Sequence, residues 1–412
     1  MNILFIYPKP DQLKKPRFGF SYEMLIFATI FSKYHNVYIK DFSCEYYDMN
    51  ELVSFVIKKN IDIVFIECDS YALKRSQNIL HAIDIMNALN KYAKIIAYGN
   101  YCYIKKINFS NATFTIVDNE VNKFIEYVNY LEGYNHIPYI TKYDNLPYID
   151  RNILLKIPYY KENKKNTLLQ TSKGCENTCT FCQRKGWQSY YTAHSDYYVL
   201  NEIRELRKEG YQNIWIIDEN FTFNLNRAKR LLKNIIKESL HENMNFFISS
   251  WTNIDKEFLD LAKNSNIKII SFGIESSNKE ILKFYKKNID IDSIPNIVQY
   301  ANSIGIFTVG NFIIGAPMET EETIKETFSF IKKCGFDQVN IKNLDYMIGS
   351  NLYETLDEKL KEKDHIFACL ENGLNNLKLN EIKNKKEKFL LEYYKLHRPL
   401  IEKKIRLYGM PF

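Results

Sequence analysis

Short apolar runs alternate along this chain with longer stretches in which apolar residues return every three or four positions. The first rhythm marks strands and the second amphipathic helices. In the N-terminal third, Asn2–Ile6, Val37–Ile39, Ile61–Ile66, Lys94–Tyr98 and Thr113–Val117 read as strands. Phe20–Tyr34, Leu73–Lys91 and Glu120–Leu131 read as helices. Met24, Leu25, Ala28 and Phe31 share one face of the first, and Ile79, Leu80, Ile83, Ile85, Met86 and Leu89 line the second. Strands separated by helices predict an α/β domain over 1–135 with a doubly wound parallel sheet.

The rhythm fades over 136–165, where Leu146-Pro147 and Ile157-Pro158 disfavour helix and an ordered linker is expected. The polar run Lys161–Asn166 reads as an exposed hairpin. A second alternation then fills 166–350. Its strands are Thr167–Thr171, Asn213–Ile217, Asn245–Ser249, Ile267–Gly273, Phe307–Ile314 and Gln338–Ile341. Ser195, Asn224, Asp255 and Thr320 stand where helix N-caps belong. Six such units predict a partial, TIM-like (β/α)6 barrel, whose chemistry would sit at the strands' C-terminal ends. Over 351–412 the chain turns helical and charged. Phe389, Leu390, Tyr393, Tyr394, Leu396 and Ile401 recur at helical spacing and suggest a cap packed on the barrel.

Composition adds exclusions. The 412 residues carry a net charge of +7 from scattered lysines, with no basic patch interleaved with aromatics, so nucleic acid is not an expected partner. No apolar run is long enough to span a bilayer, and the N-terminus lacks the basic start and cleavage site of a signal peptide. A cytoplasmic, reducing setting is expected. Five of the eight cysteines, Cys44, Cys68, Cys102, Cys334 and Cys369, show no paired spacing and read as structural.

The other three change the picture. Cys175, Cys179 and Cys182 follow the first strand of the second alternation with spacing C-x3-C-x2-C. Close thiolates are a soft-metal site. A structural zinc ion wants four ligands, and the nearest further candidate in sequence is His194. Three thiolates on a four-iron cubane would leave one iron free for a small molecule. The stretch Gly174-Cys-Glu-Asn-Thr-Cys-Thr-Phe181-Cys resembles the cluster motif of the radical S-adenosylmethionine (SAM) superfamily, with Lys173 and Glu176 where Arg and Pro are common. The resemblance continues through Asp218-Glu219-Asn220, through Gly273-Ile-Glu275-Ser276 and through Ile313 with Gly315, although Asn311 stands where a glycine usually falls. It implies a [4Fe-4S] cluster on Cys175, Cys179 and Cys182, with SAM chelated at the free iron. Phe181, Asp218, Glu219, Asn220, Glu275, Ser276, Ile313 and Gly315 are the implied SAM-binding residues. Reductive cleavage to methionine and a 5′-deoxyadenosyl radical is the implied chemistry, with a reduced flavodoxin or ferredoxin as donor. Glu319 and Glu321 read as helix capping. Trp187, Gln188, Tyr190, Tyr191, Tyr346 and Ser350 are ambiguous between cavity lining and packing, and no residue is singled out as acid, base or hydrogen donor.

A doubly wound domain ahead of such a barrel resembles the cobalamin (B12)-binding branch of the superfamily. The opening Ile-Leu-Phe-Ile-Tyr-Pro, the strand from Asp62 and Gly99 carry the likeness. Asp-x-His-x-x-Gly is absent, and Asn100 follows Gly99 where a second glycine is usual. Two chemistries stay open. One is cobalamin-dependent methylation of an unactivated centre in a small-molecule or peptide substrate. The other is cobalamin-independent hydrogen abstraction leading to cyclisation, epimerisation or rearrangement. A non-catalytic iron–sulfur protein is the third reading.

Overall fold

The computed structural model describes residues 1–9, 20–68, 77–99, 102, 109–116, 121–183, 190–347, 349–361, 366–368, 375 and 377–408. The chain divides into two compact units, Met1–Leu168 and Leu169–Phe412.

The first unit is built on five parallel strands in the order β2-β1-β3-β4-β5. They are β1 (Asn2–Tyr7), β2 (Asn36–Asp41), β3 (Ile63–Glu67), β4 (Lys94–Tyr98) and β5 (Phe114–Ile116). The helices are α1 (Tyr22–Phe31), α2 (Met49–Lys58), α3 (Gln77–Leu89) and α4 (Val121–Glu132). Every residue of β3 is buried, as a central parallel strand covered on both faces requires. Phe27, Phe65 and Phe124 form the aromatic centre of the core, with Phe65 and Phe124 4.7 Å apart. The first turn expected for α3 from Leu73, as well as Asn100, Val117 and Glu120, lies outside the described residues.

Residues 136–165 belong to this unit. Arg151, buried, donates to Thr167 Oγ1 and the Leu168 carbonyl, both at 2.7 Å. Tyr160 donates to the buried Asp41 carboxylate, whose pKa burial raises above its usual range. The hairpin expected at Lys161–Asn166 is not formed. A short helix, α5 (Pro158–Glu162), ends there, because Pro158 sits at its first turn, where a missing N–H costs nothing. Asn166 already opens the next strand.

That strand, β6 (Asn166–Leu169), leads into a six-stranded sheet of order β6-β9-β10-β11-β12-β13. The others are β9 (Asn213–Ile216), β10 (Asn245–Ser250), β11 (Ile267–Glu275), β12 (Phe307–Ile314) and β13 (Gln338–Asn343), paired in parallel from β9 onward. Between them run α6 (Asp196–Lys208), α7 (Leu225–Lys237), α8 (Lys256–Asn264), α9 (Lys279–Phe284), α10 (Ile294–Ser303) and α11 (Glu321–Cys334). Ser195, Asn224, Asp255 and Thr320 each accept a backbone N–H at a helix start, as their positions predict. Sequential neighbours in parallel put the C-terminal ends of β9 to β13 on one edge.

Two small ribbons escape the sequence pattern. β7 (Ser172–Lys173) pairs antiparallel with β8 (Thr192–Ala193) and closes the base of the cysteine loop. β14 (Asp345–Met347) pairs antiparallel with β15 (Ile366–Ala368), which lies inside the region expected to be helical, on either side of the short helices α12 (Asn351–Glu354) and α13 (Glu358–Lys361). The final helix, α14 (Leu379–Tyr408), packs Phe389 and Tyr393 into the core of this unit. Leu396 is 74% exposed and not part of that face. No helix among the described residues is long and apolar enough to cross a membrane.

The Tyr393 hydroxyl donates to the Phe336 carbonyl at 2.5 Å. Tyr393→Phe leaves that buried carbonyl unpaired and should cost about 1–3 kcal/mol, whereas Tyr393→Ala should cost about 3–5 kcal/mol. Denaturant melts of the two variants check the order; an Ala variant as stable as wild type would mean that α14 does not dock.

Candidate functional site

The three cysteines share one loop between β7 and β8. The loop is pinned at its start by the end of β9. Asp218, wholly buried, accepts from the Thr171 N–H at 2.7 Å and from the Thr171 and Ser172 hydroxyls at 2.6 Å. Burial raises its pKa, and these same hydrogen bonds oppose the shift. Glu219 accepts from the Gly174 N–H at 2.9 Å, one residue before Cys175. Arg227 on α7 donates to the Thr171 carbonyl at 2.8 Å and the His194 carbonyl at 3.2 Å. Gly174 has φ of +85°, and a Cβ there would stand 1.8 Å from the Tyr190 carbonyl oxygen, so only glycine fits.

The loop's far end is held by the C-terminal turn of α9. Thr180 donates through its N–H to the Tyr285 carbonyl at 3.0 Å and through its hydroxyl to Phe284 at 2.9 Å. Phe181 packs edge-on against Tyr285 at 5.1 Å. Asn177 donates to the Cys175 sulfur at 3.1 Å. Burial pushes the Cys179 thiol up to about 12, opposed by the Lys287 ammonium, so a metal must claim the sulfur for it to ionise near neutrality. His194 stacks on Tyr198 at 3.8 Å and packs in the interior.

The neighbouring strand ends converge on the same edge. Asn220 accepts from the Trp251 N–H at 3.1 Å and the Thr222 hydroxyl at 3.0 Å. At a bulge ending β11, Glu275 takes φ of +71° and pairs with Lys287 Nζ at 3.2 Å. That ammonium also lies 3.9 Å over the Trp251 ring. A Cβ on Gly273 would press on both partners, at 2.9 and 3.1 Å. The Ser276 hydroxyl accepts from the Asn278 N–H at 3.1 Å, at the entry of α9. Ile313 is half-buried near the end of β12, and Gly315 follows with φ of +101°.

Residues 169–331 match the Radical SAM superfamily. The chain carries a radical SAM domain. It is 31% identical over 220 residues to an uncharacterised methyltransferase of Pyrococcus horikoshii, covering 48% of this chain and 47% of the relative. It is 29% identical over 193 residues to cytidylyl-2-hydroxyethylphosphonate methyltransferase of Streptomyces wedmorensis, covering 45% and 36%. The matched stretches thus span about half or less of these curated relatives. In fold it is similar to the radical SAM methyltransferase TsrM of Kitasatospora setae, solved with cobalamin and a [4Fe-4S] cluster (TM-score 0.67, 14% identity, 85% of this chain and 76% of that one). It is similar too to OxsB, a cobalamin-dependent SAM radical enzyme solved with aqua-cobalamin (TM-score 0.66, 14% identity, 88% and 61%).

Within the radical SAM domain several residues passed unnoticed in the sequence. Lys287 sits among Lys283 and Lys286 and resembles any solvated charge run, yet its side chain is 2% exposed. Arg227 and Trp251 carry no motif signal either. Asn311 ties β12 to both neighbours, donating to Ser271 Oγ at 2.8 Å and accepting from Asn340 at 3.0 Å. Glu319 does not lie in the first turn of α11 but precedes its cap Thr320. It folds back to accept from the Gly315 and Ala316 N–H groups, and so fixes the glycine turn. Glu321 is in that first turn and pairs with Lys385 at 2.5 Å. Tyr190 is exposed, Tyr191 lies 4.7 Å from Phe223, and Tyr346 and Ser350 are buried. Trp187, Gln188 and Cys369 lie outside the described residues.

Gly174→Ala should add about 1–3 kcal/mol of backbone strain on top of the collision with Tyr190. Iron retained after reconstitution should fall to a small fraction of wild type while far-UV dichroism is kept; full retention would contradict the pinned loop. Burial lifts the Glu319 carboxyl to about 7 from its ordinary 4.5. Between those values the folded state holds the proton that the unfolded state has released, so this group's contribution falls as pH rises. Wild type should therefore lose more thermal stability from pH 5 to 8 than Glu319→Gln; equal slopes would contradict the shift.

Proposed function

We propose that this protein is a radical SAM enzyme that methylates an unactivated centre, with cobalamin carried on the first unit. The observation behind the first part is the cysteine loop itself: three thiolates on one span, pinned at Gly174 by Glu219 and at Thr180 by α9. The donor set is three soft thiolates, and it fits a [4Fe-4S] cluster on Cys175, Cys179 and Cys182. When bound, such a cluster supplies the electron that cleaves SAM reductively to methionine and a 5′-deoxyadenosyl radical.

The protein's own groups then bind and shield. Glu275, held out on its bulge by Lys287, offers a carboxylate to ribose hydroxyls or the SAM ammonium. Ile313 and the turn at Gly315, fixed by Glu319, offer an apolar edge to adenine. Phe181 covers the loop. Asp218 and Asn220 have their acceptors engaged by Thr171, Ser172, Thr222 and Trp251, so they serve by positioning the backbone around the ligand. Glu219 does the same for Gly174. Six strands in chain order, parallel from β9 onward, suit an open (β/α)6 barrel. A cytoplasmic setting and an acidic flavodoxin- or ferredoxin-type donor go with this chemistry.

Methyl transfer and cobalamin rest on the fold likeness to TsrM and OxsB and on the methyltransferase relatives. The first unit has the topology whose strand C-termini bind ligands, and Gly99, with φ of +128°, ends β4 on that edge. The motif Asp-x-His-x-x-Gly is absent from the sequence, and His81 of α3, which accepts from the Lys9 N–H at 2.7 Å just beyond β1, is a histidine described near that edge. The absent motif is what favours the second possibility, hydrogen abstraction without cobalamin. The deciding experiment is anaerobic reconstitution with iron, sulfide and hydroxocobalamin, followed by incubation with SAM and a reductant. Wild type should retain stoichiometric corrin and release 5′-deoxyadenosine, and Cys179→Ala should keep the corrin but release no 5′-deoxyadenosine. Loss of corrin with retained SAM cleavage would overturn the methylation proposal and leave hydrogen abstraction. No SAM cleavage by a cluster-loaded protein would overturn both.

A further inference from the structure

We propose that His35, Glu132 and His136 form a divalent metal site in the first unit, with zinc as the ion, separate from the cysteine loop. Each residue brings one ligating atom, and the three atoms lie within 4.8 Å of one another. Glu132 bridges the pair: Oε1 stands 3.7 Å from His35 Nδ1, and Oε2 stands 3.0 Å from His136 Nε2. The two imidazole rings are nearly perpendicular, with centroids 5.6 Å apart. A zinc–nitrogen bond of about 2.0–2.1 Å puts an imidazole centroid about 3.2 Å from the ion, so tetrahedral partners stand about 5 Å apart. The observed spacing is close to that.

A second observation points the same way. Glu132 Oε2 is buried and makes no hydrogen bond among the described residues, although His136 Nε2 stands 3.0 Å away. Leaving a buried carboxylate oxygen without a hydrogen bond is costly, and ligation would use it directly. The rings are also fixed in advance. His35 closes α1 through its N–H to the Phe31 carbonyl at 2.8 Å, and its ring stacks on Phe31. His136 lies in the turn after α4, which the buried Asn129 holds by accepting from the Ile137 N–H at 3.2 Å and donating to its carbonyl at 3.0 Å. The Met1 nitrogen lies 3.4 Å from His35 Nδ1 and is the competing neighbour.

His35 directly precedes β2, and Asn36 pairs with Asn2 at the start of β1. The cluster therefore lies at the N-terminal edge of the sheet, where the ends of α1 and α4 return. Ligands of doubly wound sheets bind at the opposite edge. An ion here would tie the first helix to the last and leave one position for water. Two imidazoles and a carboxylate select a borderline ion such as zinc over magnesium or calcium.

The test uses cluster-loaded protein, in which the thiolates are already occupied, titrated with cobalt(II) and separately with zinc(II). Wild type should take up one further equivalent, giving weak visible cobalt bands without the intense thiolate charge-transfer absorption. Zinc should raise the melting temperature. His136→Gln, at a side chain 21% exposed that the fold can spare, should weaken binding by at least about tenfold and abolish the zinc shift. Glu132→Gln should do the same, guarding against a local effect of one variant. No extra equivalent, a thiolate-type spectrum, or equal binding by His136→Gln would each overturn the site. SAM cleavage does not enter the readout, so this result stands apart from the fate of the methylation proposal.

Discussion

Two adjacent carboxylates at the end of β9 organise the radical SAM domain. Asp218 and Glu219 take up the backbone of Thr171 and Gly174 and the hydroxyls of Thr171 and Ser172, Asp218 from a buried position and Glu219 from a half-buried one. Buried acceptors of this kind are worth having only when fully satisfied, and Asp218 uses both of its oxygens. The cysteine loop thereby leaves the first strand of the sheet in one direction. A thiolate trio needs this constraint, because one buried thiol such as Cys179 will not ionise unaided. Arg227, the β7–β8 ribbon and the Thr180 contacts to α9 close the remaining freedom.

The same edge gathers a second layer of buried charge. Glu275 and Lys287 are paired at a strained backbone position, beside Trp251 and near Cys179. A buried pair of this sort is weak evidence for stability, and a residue held in the left-handed region costs energy that the surroundings must sustain. Both features gather at the strand ends where the superfamily's stations lie. Glu319 repeats the arrangement at β12, where a buried carboxyl sets the geometry of a glycine turn.

Local pattern was legible and long-range partnership was not. The strands, the helix caps and the order of the cysteine loop follow from apolar period and from residues such as Ser195 and Thr320, whose signal lies within three positions. Gly174 was visible only as a neighbour of Cys175. The reason it must be glycine, the Tyr190 carbonyl, is 16 positions away. Lys287 was hidden for the same reason: burial against Glu275 and Trp251 is a tertiary fact, and in sequence it is one more lysine. The polar run Lys161–Asn166 forms no hairpin because it spans two elements: Pro158, which disfavours a helix interior, starts α5 at its first turn, and Asn166 opens β6. The β14–β15 ribbon joins segments 19 positions apart through residues too few to set a period.

The account stands or falls on an iron of the cluster that is left open to SAM. Electron paramagnetic resonance of the reduced, reconstituted protein before and after adding SAM tests this directly. A four-iron signal whose g values change with SAM is the predicted result, since the cofactor's amino and carboxylate groups would bind the iron that no cysteine holds. A four-iron signal indifferent to SAM would mean that the fourth corner is closed by the protein, and would contradict the account.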